Sequence, residues 1–276
     1  MENFKISLFC PEDIKTEYED IEYPIHDRVK YYSNITKCKR TLNVLLPLNY
    51  TDDKKYPVLY LLHGLFCDED TMLDEDIAVI PISTNLAIQG KAKEMIIVFP
   101  NEYVPKNGIS LPPEPTDEYF EGYDNFINEL VDNIMPFIES KYSVAKGREN
   151  TAIAGFSMGG RNSLYIGFKR PDLFGYIGAF SPAPGVIPGK DKFHGYHKGL
   201  FTKEDDFRTS PQPIINLISC GTDDTVVNGF PKHYHEVLTR NQQKHIWYEV
   251  PDANHDFKSV CSGLYNFILT LFGALN

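Results

Sequence analysis

The sequence predicts an α/β fold: a mostly parallel central sheet flanked by helices on both faces. Three observations carry the prediction. Short, nearly unbroken apolar runs recur along the chain, as strands buried on both sides require. Amphipathic helical stretches lie between them, the alternation that builds a parallel sheet. And one serine framed by glycines, Ser157, stands where such a strand hands over to such a helix.

The strands come in order. Residues 41–50 (TLNVLLPLNY) end in a Pro/Asn turn. Residues 56–64 (YPVLYLLHG) and 94–101 (EMIIVFPN) are apolar almost throughout, and 151–156 (TAIAGF), 213–221 (PIINLISCG) and 245–252 (HIWYEVPD) complete the set. Among the helices, residues 123–142 place Phe126, Leu130, Ile134, Phe137 and Ile138 on one face at helical spacing. Residues 159–169, 230–243 and 259–275 supply the others. The stretch 101–122 (NEYVPKNGISLPPEPTDEYFEG) is rich in Pro, Gly and charge and too long for a simple connection; it reads as a rim or lid inserted into one domain spanning 1–276.

Composition narrows the function. A chain of 276 residues, 42% hydrophobic, buries a core without staples. A net charge of -11 and the lack of a basic stripe argue against nucleic acid. No apolar run reaches membrane-spanning length, and the first ten residues lack the zones of a signal peptide. The five cysteines show no zinc-type spacing and, being odd in number, leave at least one unpaired within the chain. Two N-glycosylation sequons, at Asn34 and Asn49, are of a kind that occurs by chance.

Gly155-Phe156-Ser157-Met158-Gly159 fits G-x-S-x-G. In the strand–turn–helix setting the glycines let the backbone pass close while the serine hydroxyl is raised at the carboxyl end of the sheet. The N–H of Met158, at the start of the next helix, can then meet a developing oxyanion. A serine needs a base, and the base an orienting acid. In α/β-hydrolase order both follow the serine. His255 alone lies after a strand, after the acidic loop and before the last helix. The acid is Asp223 or Asp224, adjacent in the loop after 213–221 and equivalent on chemistry alone. Leu65 N–H, with Phe66 N–H as the alternative, is placed to be the second oxyanion donor, and His63 to shape that loop. His233 and His235 point apart on a helix, and His194 and His197 lack a third partner for a metal. The chemistry calls for no metal and no cofactor. Phe66, Tyr123, Pro182 and Val226 are candidates for the acyl pocket from their nearness to the motif loops.

The segments KKYPVLYLLHG, YDNFINELVDNIMPFIESKYSV, RENTAIAGFSMGGRNSLYIGFKRPDLFGYIGAFSPAPG, CGTDD and NHDF together resemble carbohydrate esterase family 1, in particular its feruloyl esterase domains, from about Ile21 to the C-terminus. The resemblance implies a serine esterase of the α/β-hydrolase fold acting on hydroxycinnamate esters of arabinoxylan. It implies secretion, because the polymer lies outside the cell. The family's Gly-Thr-x-Asp motif favours Asp224 as the acid; its His-Asp-Phe motif matches His255-Asp256-Phe257. Its nucleophile matches Ser157 and its oxyanion donors match Leu65 and Met158. Two departures bear on the acyl group: LFCDED follows His63-Gly64 where relatives carry a glycine-rich turn, and 101–122 is long. Acetyl xylan esterases and S-formylglutathione hydrolases share the scaffold and are the alternatives.

Overall fold

The computed structural model describes residues 5–192 and 194–274. Among these residues run ten strands: β1 (Asp27–Ser33), β2 (Cys38–Leu45), β3 (Val58–Leu62), β4 (Ile96–Pro100), β5 (Thr151–Phe156), β6 (Tyr176–Phe180), β7 (Gly189–Lys190), β8 (Tyr196–His197), β9 (Ile215–Gly221) and β10 (Ile246–Val250). The helices are α1 (Glu12–Lys15), α2 (Val79–Ile88), α3 (Asp117–Asp124), α4 (Phe126–Glu129), α5 (Met135–Lys141), α6 (Met158–Lys169), α7 (Phe230–Arg240) and α8 (Phe257–Thr270). Eight strands form one sheet in the order β1-β2-β4-β3-β5-β6-β9-β10, and β7 and β8 form a separate small hairpin. β2 runs antiparallel to both β1 and β4; from β4 to β10 every pairing is parallel.

The apolar strands are buried on both faces because two helical layers cover them. Val58, Tyr60 and Leu62 of β3 point toward one core with α4, α5, α6 and α7; Leu59 and Leu61 point toward the other with α1, α2 and α8. Each such fully buried side chain contributes about 1.5–3 kcal/mol relative to exposure. The single helix expected over 123–142 is broken. α3 ends at Asp124, and a π-helical turn, Leu130–Ile134, separates α4 from α5. The core stripe survives the break: Phe126, Leu130, Ile134 and Ile138 are fully buried, and the half-buried Phe137 packs on Tyr31. The turn follows the buried Glu129, whose carboxylate accepts hydrogen bonds from Tyr31 Oη and Ser33 Oγ, both at 2.7 Å, fastening the edge strand to this helix.

Parallel strands all end at one edge. The loops after β3, β4, β5, β9 and β10 therefore emerge together, at the place where open α/β sheets bind ligands. Ser157, Asp223, Asp224, His255, Leu65 and Met158 lie on these loops or in the first turn of α6.

Candidate active site

Ser157 ends β5 and precedes α6, with φ 56° and ψ -113°. A non-glycine residue held in this region is strained by about 1–3 kcal/mol, and such strain gathers at functional sites. The neighbours leave no alternative to glycine: a Cβ on Gly155 would lie 2.5 Å from the Gly159 carbonyl carbon, and one on Gly159 would lie 2.5 Å from Leu62 O. Backbone bonds lock the turn. Ser157 N–H donates to Phe180 O (3.0 Å), and Ser157 O accepts from Ala183 N–H (2.8 Å).

β9 delivers the acid. Asp224 Oδ2 accepts from His255 Nδ1–H at 2.8 Å, while Oδ1 accepts from Val226 and Val227 N–H at 3.0 and 3.1 Å. Burial pushes the Asp224 carboxyl up, but the hydrogen bond and charge of His255 and the Val227 N–H outweigh it and hold the group below its ordinary value. Asp223 is exposed and turned away; among the described residues its carboxylate takes Thr222 Oγ1–H alone. The structure thus separates two residues that chemistry alone left equal. The acid loop and the histidine loop touch at Gly221, where a Cβ would lie 2.2 Å from Ala253 O. Asp256, next to His255, caps α8 by accepting from Ser259 N–H (3.1 Å). With Nδ1–H committed to Asp224, the lone pair of His255 is on Nε2. The imidazole packs on Phe156, ring centroids 4.4 Å apart. Among the described residues no hydrogen bond closes the Ser157–His255 leg; such contacts often tighten only when substrate binds.

The loop after β3 abuts the serine: a Cβ on Gly64 would lie 3.6 Å from Ser157 Cβ. Phe66 N–H is taken by Tyr123 Oη at 3.1 Å. Among the described residues neither Leu65 N–H nor Met158 N–H has an acceptor. His63, 1% exposed, donates from Nδ1 to Gly64 O (2.7 Å) and accepts at Nε2 from Glu102 N–H (3.0 Å). Burial lowers its pKa to about 4, so the ring is neutral.

The 101–122 stretch is folded onto this site. Tyr103 stacks on Tyr119 at 4.5 Å, and Phe66, 49% exposed, lies 5.5 Å from Tyr119. Leu65 and Met158 pack into the same cluster. Of the acyl-pocket candidates, Phe66 and Val226 are exposed, whereas Tyr123, packed on Tyr103 and Tyr119, and Pro182, against Gly160, are buried. Sequence reasoning missed Tyr103 and Tyr119; the run of Tyr and Phe through 103–123 was the signal available. It missed Glu102 as well, whose polar side chain gave no hint of complete burial. His194 Nδ1 lies 2.9 Å from Pro115 O and its Nε2 2.8 Å from Asp117 Oδ1, so it ties the β7–β8 hairpin to the same stretch.

The Esterase family model, described as "Putative esterase", matches residues 33–261. A CE1 ferulic acid esterase from Anaeromyces mucronatus, solved in complex with ferulic acid, is 56% identical over 99% of both chains, with a TM-score of 0.96. An endo-1,4-beta-xylanase/feruloyl esterase from Xylanibacter ruminicola is 31% identical over 62% of this chain, and the chain spans 23% of that longer protein. An S-formylglutathione hydrolase from Staphylococcus aureus shares the fold at 16% identity, over 90% of this chain and 98% of that one, with a TM-score of 0.64. The architecture is the α/β-hydrolase one.

Proposed function

The chain belongs to the Esterase family, among the CE1 ferulic acid esterases, and from that premise we propose that it hydrolyses hydroxycinnamate esters of plant cell-wall arabinoxylan through Ser157, His255 and Asp224. The observation that carries the reading is the charge-assisted 2.8 Å contact of His255 with Asp224, at the same sheet edge as the strained Ser157 turn, in a chain this similar to a ferulate-bound esterase. Ser157 Oγ attacks the ester carbonyl while His255 Nε2 takes its proton. Asp224 holds the imidazole tautomer and stabilises the imidazolium. Leu65 and Met158 N–H receive the oxyanion, each worth about 3 kcal/mol in the transition state. His255 then gives that proton to the departing sugar oxygen as the tetrahedral intermediate collapses, releasing the sugar hydroxyl, and water repeats the cycle to free the acid. The aromatic wall of Phe66 and Tyr119 is suited to a planar aryl acyl group, and the 101–122 stretch serves as the substrate rim. Its polymer substrate places its work outside the cell.

The test is hydrolysis of methyl ferulate, methyl p-coumarate, 4-nitrophenyl acetate and S-formylglutathione by the wild type and Ser157→Ala. Release of ferulate, lost about 10⁴-fold or more in a folded variant, is the expected result. A variant keeping a tenth of the rate overturns the nucleophile. Turnover confined to formyl or acetyl esters overturns the acyl group.

A further inference from the structure

Behind the oxyanion loop lies a closed circuit of hydrogen bonds that the steps above do not use. Starting at the serine turn, Gly159 N–H donates to His63 O (2.9 Å). His63 Nδ1–H donates to the next carbonyl, Gly64 O, and His63 Nε2 accepts Glu102 N–H. The Glu102 side chain, 0% exposed, accepts at Oε2 from Asn162 Nδ2–H (2.8 Å). That same amide donates to Tyr123 O (3.2 Å), and Tyr123 Oη accepts Phe66 N–H (3.1 Å). The circuit joins the loops after β3 and β4, the end of α3 and the body of α6. It reaches the oxyanion loop on both sides of Leu65: at Gly64 through a carbonyl and at Phe66 through an N–H.

That bracketing has a consequence for catalysis. Three consecutive N–H groups, Gly64 to Phe66, could turn toward the substrate oxygen. Only one orientation gives a donor whose position does not change when the charge develops, and preorganisation of that kind is where oxyanion catalysis gets its strength. We propose that Tyr123, held by Asn162 and Glu102, is a positioning residue that captures Phe66 N–H and so fixes Leu65 N–H as the oxyanion donor. Tyr123 is 1% exposed and its hydroxyl is spent on the loop, so it acts through Leu65 and not by touching substrate. Phe66 has φ 64°, a backbone conformation costly for an aromatic residue, and the Tyr123 bond is what the structure offers to hold it. Glu102 enters as an acceptor for Asn162. Its burial drives its pKa well above the ordinary carboxyl value.

This inference rests on the acyl-enzyme reading proposed above. It is tested with Tyr123→Phe, which removes one oxygen atom, and with the pair Glu102→Leu and Glu102→Gln. For each, kcat and KM are measured on methyl ferulate and on 4-nitrophenyl acetate, together with the Kd for ferulate and the inhibition constant of an aryl boronic acid, whose tetrahedral adduct puts an oxygen in the oxyanion site. Tyr123→Phe is expected to lower kcat about tenfold to a hundredfold on both esters and to weaken the boronic acid by the same factor. KM and the ferulate Kd stay within about threefold. Glu102→Leu shows the same pattern, and Glu102→Gln, which keeps an acceptor, recovers most of it. An unchanged kcat, or a loss seen with ferulate but not acetate, overturns the proposal; the second pattern would make Tyr123 a part of the acyl wall. Should Glu102→Leu fail to fold, Tyr123→Phe decides alone. Activity surviving in Ser157→Ala would instead sink the acyl-enzyme reading, a failure recognisable apart from this one.

Discussion

Asp223 and Asp224 are neighbours of identical chemistry, yet only one can serve His255. The difference lies in what surrounds each carboxylate. Asp224 is 6% exposed and takes Val226 and Val227 N–H from its own loop and the imidazole N–H, with the Cys220 thiol 3.9 Å from Oδ2. Asp223 faces water, and its backbone N–H donates to Ala253 O, the contact that turns its side chain outward. Replacing Asp224 by Asn leaves the shape intact but offers an amide where an acceptor is needed. The imidazole then loses the tautomer that keeps its lone pair on Nε2, and the rate should fall by about 10⁴ with the fold retained. Asp223→Asn should keep the rate within about twofold. Steady-state assays of the two variants side by side check both, and equal losses would mean that the acid is misassigned. Here the residue chemistry was legible before the structure, but the choice between the two was not. It rests on which side chain the loop turns inward, a property of the Gly221–Ala253 approach rather than of the motif.

At the level of elements, the sheet was read well where strands are continuous apolar runs and poorly elsewhere. β3, β4, β5 and β9 have no exposed residue, so apolar residues dominate them in sequence, with Thr151, Asn216 and Ser219 buried among them. β6 was missed because Gly178 sits in the middle of a five-residue strand, and glycine is depleted in strands. Its reason is tertiary: a Cβ there would lie 2.8 Å from Ala154 Cβ and 3.0 Å from the Phe267 ring of α8. α2 was missed because VIPISTNLAI is rich in β-branched residues and contains a proline. Pro81 is tolerated in the first turn, where its missing N–H would have no intrahelical acceptor, and burial of Val79, Ile82 and Leu86 overrides the propensity. β1 was missed although its burial alternates with period two. The serine turn was legible from two glycines because its geometry permits nothing larger. Gly159→Ala tests this at the scale of the β5–α6 unit. The added methyl would be driven into Leu62 O and His63 O, both carbonyls of the neighbouring strand end that cannot rotate away. The expected loss is about 2–4 kcal/mol of unfolding free energy together with nearly all activity. A urea midpoint unchanged from wild type would show that the turn has room the structure does not display.

For the whole molecule, the two buried groups of the oxyanion circuit make opposite contributions to the dependence of stability on pH. Folding lowers the His63 pKa from 6.5 to about 4, so between these values the unfolded chain binds the extra proton. That contribution is complete above about pH 6.5 and is lost on acidification toward pH 4, amounting to roughly 3 kcal/mol. Folding raises the Glu102 pKa well above 4.5, so here the native state holds the proton that the unfolded chain has released. Its contribution is complete below pH 4.5 and is lost as the pH rises. Above about pH 4.5, while both groups titrate, the two slopes oppose each other. The wild type should therefore depend less on pH here than a chain lacking either group, and lose stability below it, where His63 titrates on without Glu102 and where Asp224, held below its ordinary value, begins to add its own loss. Removing one group unmasks the other. His63→Asn keeps a side-chain donor and acceptor but cannot titrate, so its unfolding free energy should fall as the pH rises from 4.5 to 6.5. Glu102→Gln should show the reverse, gaining stability over the same range. Urea unfolding of the three proteins at half-unit steps reads these slopes directly, whatever the absolute stability of each variant. Parallel curves for all three would mean that folding does not shift these two groups in opposite senses, and the circuit behind Leu65 would have to be redrawn.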